Sequence, residues 1–300
     1  MRYLLLGAGQ VGRAIAFDLL RDPDTEVVLA DKDPDQLEDV VAWLDDPRVD
    51  VEPIDAAVRD ECQAAMDDID VAISALPPGF NLELTQDSLE TGTHFDDVGG
   101  DPAEMQAQLE IDGVARDLGL TVIPDIWLAP GLPVLLAADA CHRLTPVETF
   151  KIRVGGLPQK PQGELDYMLT VGIDRLLRDY SDPALVVREG ELLSAEPLTE
   201  IERINFPEPY GELEAFLTAN ALSTLPQTVG HKVENMDLKT IRYPGHGAKM
   251  RALLEQGLLS QEPRKLADGT EVIPAKFVAD MIESTCNYPE ADVVLLRVTA

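Results

Sequence analysis

Residues 3–12 read Tyr3-Leu4-Leu5-Leu6-Gly7-Ala8-Gly9-Gln10-Val11-Gly12. A short apolar run, Tyr3–Leu6, leads into a G-x-G-x-x-G pattern. From Val11 the apolar residues recur at helical spacing, as Val11, Ile15, Ala16 and Leu19. Strand, glycine turn and helix are the context in which this pattern carries meaning. Gly7 admits the tight turn, Gly9 lets the backbone approach a pyrophosphate, and Gly12 lets the helix pack close to the strand. The first N–H groups of the helix, Gln10 and Val11 among them, have no partner within it and form an anion site. Asp31 closes the second predicted strand, Glu26–Ala30. A carboxylate there accepts the adenosine ribose hydroxyls. It also repels a 2′-phosphate about 4 Å away by roughly 4 kcal/mol per unit charge at an effective dielectric near 20. The reading therefore favours NAD over NADP, with Lys32 offsetting part of the repulsion. Asp55 and Ala56 follow a third strand, Val49–Glu52, and are expected to border the adenine. Ala75, Leu76 and Pro77 end a fourth, Asp70–Leu76, where the cofactor ribose and nicotinamide run past.

Working outward, strands and helices alternate. Helices are predicted over Val11–Leu20, Pro34–Leu44, Arg59–Met66 and Leu82–Thr91, and one helix from Asp101-Pro102 to Leu118, closed by Gly119. Thr93–Val98 and Leu120–Ile123 add two strands. Such alternation predicts a doubly wound parallel α/β sheet of Rossmann type over residues 1–130. Beyond it the pattern changes. Pro130-Gly131 opens an apolar helix, Leu132–Leu144. Strand-like runs follow at Glu148–Val154, Ala184–Val187, Glu191–Leu193 and Asp237–Arg242. Residues 131–300 are expected to form a mixed α+β domain for substrate and dimerisation. The terminal run Asp292–Val298 reads as a strand with no return partner, which suggests a truncated chain.

Composition narrows the function. Lys and Arg number 24 against 55 Asp and Glu, for a net charge of −31. Such a surface repels phosphate backbones and argues against nucleic acid. The charge is spread along the chain, as in Asp31-Lys32-Asp33-Pro34-Asp35 and Asp67-Asp68-Ile69-Asp70. This fits an acidic proteome in a salt-rich cytosol, where screening relieves self-repulsion. No apolar run approaches the ~20 residues of a membrane span. Cys62, Cys141 and Cys286 share no ligand spacing, which argues against a disulfide framework and a metal cluster and points to a cytoplasmic setting.

Several segments together resemble the saccharopine dehydrogenase superfamily, and within it the lysine 6-dehydrogenase branch. They are Gly7–Ala16, Ala75-Leu76-Pro77, Asp97-Val98, Ala129-Pro130-Gly131-Leu132, Val154-Gly155-Gly156-Leu157-Pro158, Glu214-Ala215-Phe216 and Arg242-Tyr243-Pro244-Gly245-His246. The Gly-Gly-Leu-Pro and Arg-Tyr-Pro-Gly-His segments are the most particular. Relatives usually continue beyond the last residue here. The resemblance implies an NAD(P)-dependent oxidoreductase acting on the C–N bond of an amino acid or amine, working as a homodimer or larger homo-oligomer. The lysine 6-dehydrogenase reading is oxidative deamination of the ε-amine by hydride transfer to nicotinamide. A saccharopine-type or carboxyspermidine-type dehydrogenase stands beside it, as does a non-catalytic NAD(H)-binding sensor. For such chemistry Asp97 is expected to pair with a substrate ammonium or orient the nicotinamide, and Asp125 to face the same crevice. Arg242 is suited to a substrate carboxylate in bidentate fashion. His246 is the expected proton-transfer group near neutral pH. One departure stands out: lysine 6-dehydrogenases tend to carry Asp-Gly-Leu-Arg where this chain has Ala219-Asn220-Ala221-Leu222. A charged pair is missing, and Asn220 remains to hydrogen-bond an amino acid.

Overall fold

The computed structural model describes residues 1–129, 131–144, 146–219, 222, 224–228 and 233–300. It divides into two compact units, Met1–Leu128 and Ala129–Ala300.

In the first unit the elements run β1 (Arg2–Leu6), α1 (Gln10–Leu19), β2 (Glu26–Asp31), α2 (Pro34–Leu44), β3 (Val49–Pro53), α3 (Arg59–Ala65) and β4 (Val71–Ser74). They continue with α4 (Asn81–Thr91), β5 (His94–Asp97), α5 (Pro102–Leu109), α6 (Asp112–Leu118) and β6 (Val122–Ile123). The sheet order is β3-β2-β1-β4-β5-β6, with every pair parallel. Successive residues of β1 serve opposite faces. Leu4 and Leu6 pack with Cys62, Met66, Leu84 and Phe95, while Leu5 packs with Ala16, Leu29, Leu37 and Val40. That two-sided burial is why these strands read as continuous apolar runs. The order reverses between β1 and β4, so the turns leaving those strands lie side by side at the carboxyl edge, where such sheets take ligands.

The single helix expected over residues 102–118 is two helices. Ile111 takes a bridge conformation (φ −87°, ψ −1°), its N–H turns back to the Gln108 carbonyl, and its own carbonyl receives Val114 N–H. Gly113, a weak helix former, lies just inside the second piece and favours the break there.

The second unit begins with α7 (Gly131–Arg143), β7 (Thr149–Pro158), α8 (Ile173–Ser181), β8 (Ala184–Arg188), β9 (Glu191–Ala195), β10 (Glu202–Asn205) and β11 (Glu212–Leu217). There follow α9 (Leu225–Thr228), β12 (Asn235–Arg242), α10 (His246–Glu255), β13 (Arg264–Lys265), β14 (Glu271–Val272), α11 (Pro274–Cys286) and β15 (Asp292–Thr299). Among the described residues its main sheet is ordered β10-β11-β12-β7-β15, with the β8–β9 hairpin joined to β12. β12 and β7 are parallel and the other pairs antiparallel. The terminal strand does have a partner: β15 pairs along β7 from Asp292↔Pro158 to Thr299↔Lys151. An unpaired last strand is therefore not what the structure contains.

Alternation along β7 and β12 gives the sheet two characters. Phe150, Ile152, Val154, Met236 and Leu238 build one apolar core with Ala137 of α7. On the opposite face Arg153 is 3% exposed and pairs with Glu202 and with Asp237 (2.5 Å), while Lys239 reaches Glu200 and Glu202. A third cluster joins the helices: Leu176, Leu177 and Tyr180 of α8, Met250 of α10, and Ala275, Val278 and Ile282 of α11.

Candidate functional site

In the first unit the site is the edge formed by the β1 and β4 turns. Gly7 has φ +102° and leaves β1 through a bond from its N–H to the Ala30 carbonyl (2.7 Å). A side chain on Gly12 would collide with the Gly7 carbonyl oxygen, so helix and turn touch through bare backbone. Above Gly9 there is open space, and no side chain caps α1. The N–H groups of its first turn, from Gln10 and Val11 onward, therefore point off the helix end, where an anion is favoured. Ala75 donates its N–H to Leu6 (2.8 Å), which lays Ala75 and Leu76 against Gly7, with Pro77 beyond them.

Asp31 is tied into this turn. Its Oδ2 accepts the Ala8 N–H (2.8 Å) and its Oδ1 the Asp33 N–H (3.0 Å), while the Gln36 side chain holds the Ala8 carbonyl (3.1 Å). Lys32 beside it is exposed. The end of β3 lies next, since Ile54 N–H reaches the Asp31 carbonyl (3.1 Å). Asp55 accepts Ala57 N–H (3.1 Å), and Ala56 packs on the core. The structure thus brings Gly7, Gly9, Gln10, Val11, Gly12, Asp31, Lys32, Asp55, Ala56, Ala75, Leu76 and Pro77 to one edge. A glycine turn with open space above Gly9, helix N–H groups with no side-chain cap among the described residues and a fixed carboxylate fit a dinucleotide.

Asp97 differs from expectation. It is 1% exposed, and its carboxylate accepts Gly99 N–H (2.7 Å), Asp125 N–H (3.0 Å) and the Gln108 amide (2.6 Å). Burial raises its pKa, opposed by those hydrogen bonds. It staples the loops after β5 and β6 and offers no free face to a substrate ammonium. Asp125, at φ +63°, is held through that staple. A polar chain continues beneath: Gln108 also donates to Thr85 (2.8 Å), and Ser74 donates to Asn81 (2.7 Å).

In the second unit Arg242 ends β12, opposite Glu214 of β11. The turn Tyr243-Pro244-Gly245 then opens α10 at His246. Glu214 caps that helix by accepting Gly245 N–H (2.8 Å) and Gly247 N–H (2.6 Å). This is the physical content of the Glu214-Ala215-Phe216 and Arg242–His246 segments. The Gly155-Gly156 pair has a similar reason: a side chain at Gly155 would strike the Ile241 carbonyl, and the Gly156 carbonyl accepts from Arg242 Nη1 (3.4 Å).

Arg242 is 7% exposed yet has no carboxylate at ion-pair distance among the described residues. Its partners are neutral oxygens: Tyr180 Oη (3.0 Å from Nε), the Ile241 carbonyl (2.9 Å from Nη1) and the Gly156 carbonyl. Its guanidinium lies 4.9 Å from the Tyr167 ring centre. No hydrogen bond leaves Nη2 among the described residues. His246 corrects the sequence expectation. It is 1% exposed, and burial, with the Arg242 charge second, pushes its pKa down to about 3, so it does not titrate near neutrality. Tyr180 and Tyr167, both buried against it, were missed because no motif marks them. Asn220 lies outside the described residues. No group of three metal-ligating side chains occurs among the described residues, and no helix there is long and apolar enough to cross a membrane.

Comparison with known proteins agrees with this geometry. The family model for the saccharopine dehydrogenase NADP binding domain matches residues 3–123, and that for the saccharopine dehydrogenase C-terminal domain matches residues 128–300. A saccharopine dehydrogenase [NADP(+), L-glutamate-forming] of Pyricularia oryzae is 24% identical over 301 residues, covering 97% of this chain and 65% of the relative. The mitochondrial alpha-aminoadipic semialdehyde synthase of Mus musculus is 22% identical over 274 residues, covering 87% and 29%. The chain thus spans less than two thirds of either relative. The apo saccharopine dehydrogenase (L-Glu forming) of Saccharomyces cerevisiae shares the fold, with TM-score 0.79 and 18% identity over 99% of this chain and 80% of that one.

Proposed function

The chain belongs to the saccharopine dehydrogenase family, and from that premise we propose that it catalyses nicotinamide-dependent oxidoreduction at a C–N bond of an amino acid. The observation that carries the amino-acid part is Arg242, a buried guanidinium whose hydrogen-bond partners among the described residues are neutral oxygens and whose Nη2 donates to none of them. Asp179 acts on this buried charge only through space, so the charge stays costly to hold, and an incoming carboxylate relieves that cost. Bound at the first unit's edge, the dinucleotide supplies the hydride acceptor or donor. The α1 N–H groups then hold its pyrophosphate and Asp31 its ribose hydroxyls. The fixed Asp31 charge favours NAD over NADP.

Two substrates divide the class. A secondary amine joining two amino-acid halves, as in saccharopine, takes support from the similarity to the saccharopine dehydrogenase [NADP(+), L-glutamate-forming] of Pyricularia oryzae. The primary ε-amine of lysine is what the resemblance to lysine 6-dehydrogenases implies, and the missing charged pair at Ala219-Asn220-Ala221-Leu222 counts against it. The test is nicotinamide reduction with NAD and NADP side by side, at high and low salt, over saccharopine, lysine, ornithine and other diamines. Turnover of saccharopine or lysine assigns the substrate. Dinucleotide binding without turnover of any amine favours the sensor instead.

We also infer a cytoplasmic homo-oligomer. The free cysteines are consistent with that compartment, and Leu132, Leu135 (66% exposed) and Leu136 on α7 support association. A monomeric mass by light scattering argues against the oligomer.

A further inference from the structure

Behind Arg242 runs a hydrogen-bond chain whose direction is fixed at both ends. A guanidinium only donates, so the 3.0 Å contact from Arg242 Nε makes Tyr180 Oη an acceptor. A carbonyl only accepts, so the 2.9 Å contact between His246 Nδ1 and the Leu165 oxygen places a proton on Nδ1. The neutral ring then has its lone pair on Nε2, which lies 3.0 Å from Tyr180 Oη. The Tyr180 hydroxyl proton therefore goes to His246, and both lone-pair positions facing Arg242 stay available. Chains of this kind polarise one another in sequence.

The surroundings keep the ring neutral. Phe216 stacks on His246 at 6.3 Å between ring centres, and Tyr167 lies at 5.3 Å. Among the described residues Arg242 of β12, Lys249 of α10 itself and Asp179 of α8 are the charged groups that act here, and Glu214 of β11 is committed to the α10 N-terminus. A second proton, on Nε2, would turn that nitrogen into a donor and leave the Tyr180 hydroxyl proton without its acceptor.

We propose that Tyr180 and His246 are positioning residues: through this one-way chain from Arg242 to the Leu165 carbonyl they lock the guanidinium so that Nη2 meets a substrate carboxylate. The proposal rests on the reading of Arg242 as the carboxylate anchor.

The full chain, with ¹⁵N-labelled arginine and histidine, tests it. The expected result is a His246 protonated on Nδ1 and bare on Nε2, and an Arg242 Nε–H protected from solvent exchange. Tyr180→Phe is expected to speed that exchange and raise KM for the amino acid about tenfold, with kcat nearly unchanged. His246→Phe, which fills the space but accepts nothing, should do the same. His246→Gln, which offers Tyr180 a carbonyl, should restore both values. A proton on Nε2 instead of Nδ1 overturns the proposal. So does unchanged Arg242 exchange in Tyr180→Phe, or a KM that does not move when exchange does. Failure of the catalytic reading looks different: no amine turns over in the unaltered protein, while exchange and tautomer still report on the chain.

Discussion

Replacing Asp31 by Asn separates charge from shape at the dinucleotide edge. The carboxylate cannot swing away from a 2′-phosphate, because Ala8 N–H and Asp33 N–H hold one oxygen each, at 2.8 and 3.0 Å. At about 4 Å and an effective dielectric near 20 the repulsion is roughly 4 kcal/mol per unit charge. The side chain is partly exposed and Lys32 is its neighbour, so solvent and that cation halve the figure to ~2 kcal/mol, or ~30-fold. Asn keeps one carbonyl oxygen, so one of the two N–H groups loses its acceptor, at about 1 kcal/mol for either cofactor. That second loss cancels in a ratio. The expected outcome is therefore a kcat/KM ratio of NADP to NAD that rises ~30-fold, while activity with NAD falls several-fold. Steady-state rates with both dinucleotides at fixed salt measure it. A ratio that stays put, or an unaltered protein that already prefers NADP, would refute the electrostatic argument.

The other predictions concern stability. Asp97→Ala strands three donors, from Gly99, Asp125 and Gln108, and should cost about 3–5 kcal/mol in urea unfolding; a fully stable variant that merely loses turnover would restore Asp97 to the reacting group. Asp96 is raised by burial, and next by Asp97, from 3.8 to about 6. The folded state then binds the extra proton first, so this group's contribution makes the protein more stable as pH falls from about 6 to about 4. Asp96→Asn should erase that gain and stabilise the protein at pH 7, as read from denaturant midpoints at both pH values; an unaltered pH slope contradicts the shift. His246 works in the opposite sense. Its folded value, about 3, lies below the ordinary 6.5, so stability present above pH 6.5 drains away as pH falls toward 3, and His246→Phe should blunt that loss. Finally, a net charge of −31 should make the chain expand or unfold at low ionic strength; circular dichroism and scattering indifferent to salt would exclude self-repulsion as a determinant of its stability.

Much of the first unit is legible in sequence because its signals are local. Gly7 and Gly12 stand where only bare backbone fits, Asp101-Pro102 starts α5 as an N-cap and first-turn pair, and two-sided burial writes β1 as an unbroken apolar run. The second unit hides its logic in distant pairings. β10 (Glu202–Asn205) has one apolar residue in four, and β11 carries Glu212 and Glu214 within its apolar run, so neither announces its partner. Helices α8 and α11 did leave a trace, as Ile173, Leu176, Leu177 and Tyr180, and as Ala275, Val278 and Ile282, all at helical spacing. The side-chain roles were the least legible. Asp97 and His246 are ionisable residues in suggestive segments, yet what each does is decided by burial and by partners far away in sequence: Gln108 and Asp125 for one, Leu165 and Tyr180 for the other.

The pairing of β7 with β15 also sets an order of events during synthesis. Residues 1–128 contain every strand of the parallel sheet and are free to fold as they emerge. The strand at residues 149–158, by contrast, waits for residues 292–299. Until then one side of it is a bare row of backbone donors and acceptors flanked by Phe150, Ile152 and Val154, all apolar. That row is a template for the same strand of a neighbouring nascent chain. An aggregation-prone interval is therefore expected from the emergence of residue 158 until residues 292–299 have emerged and paired.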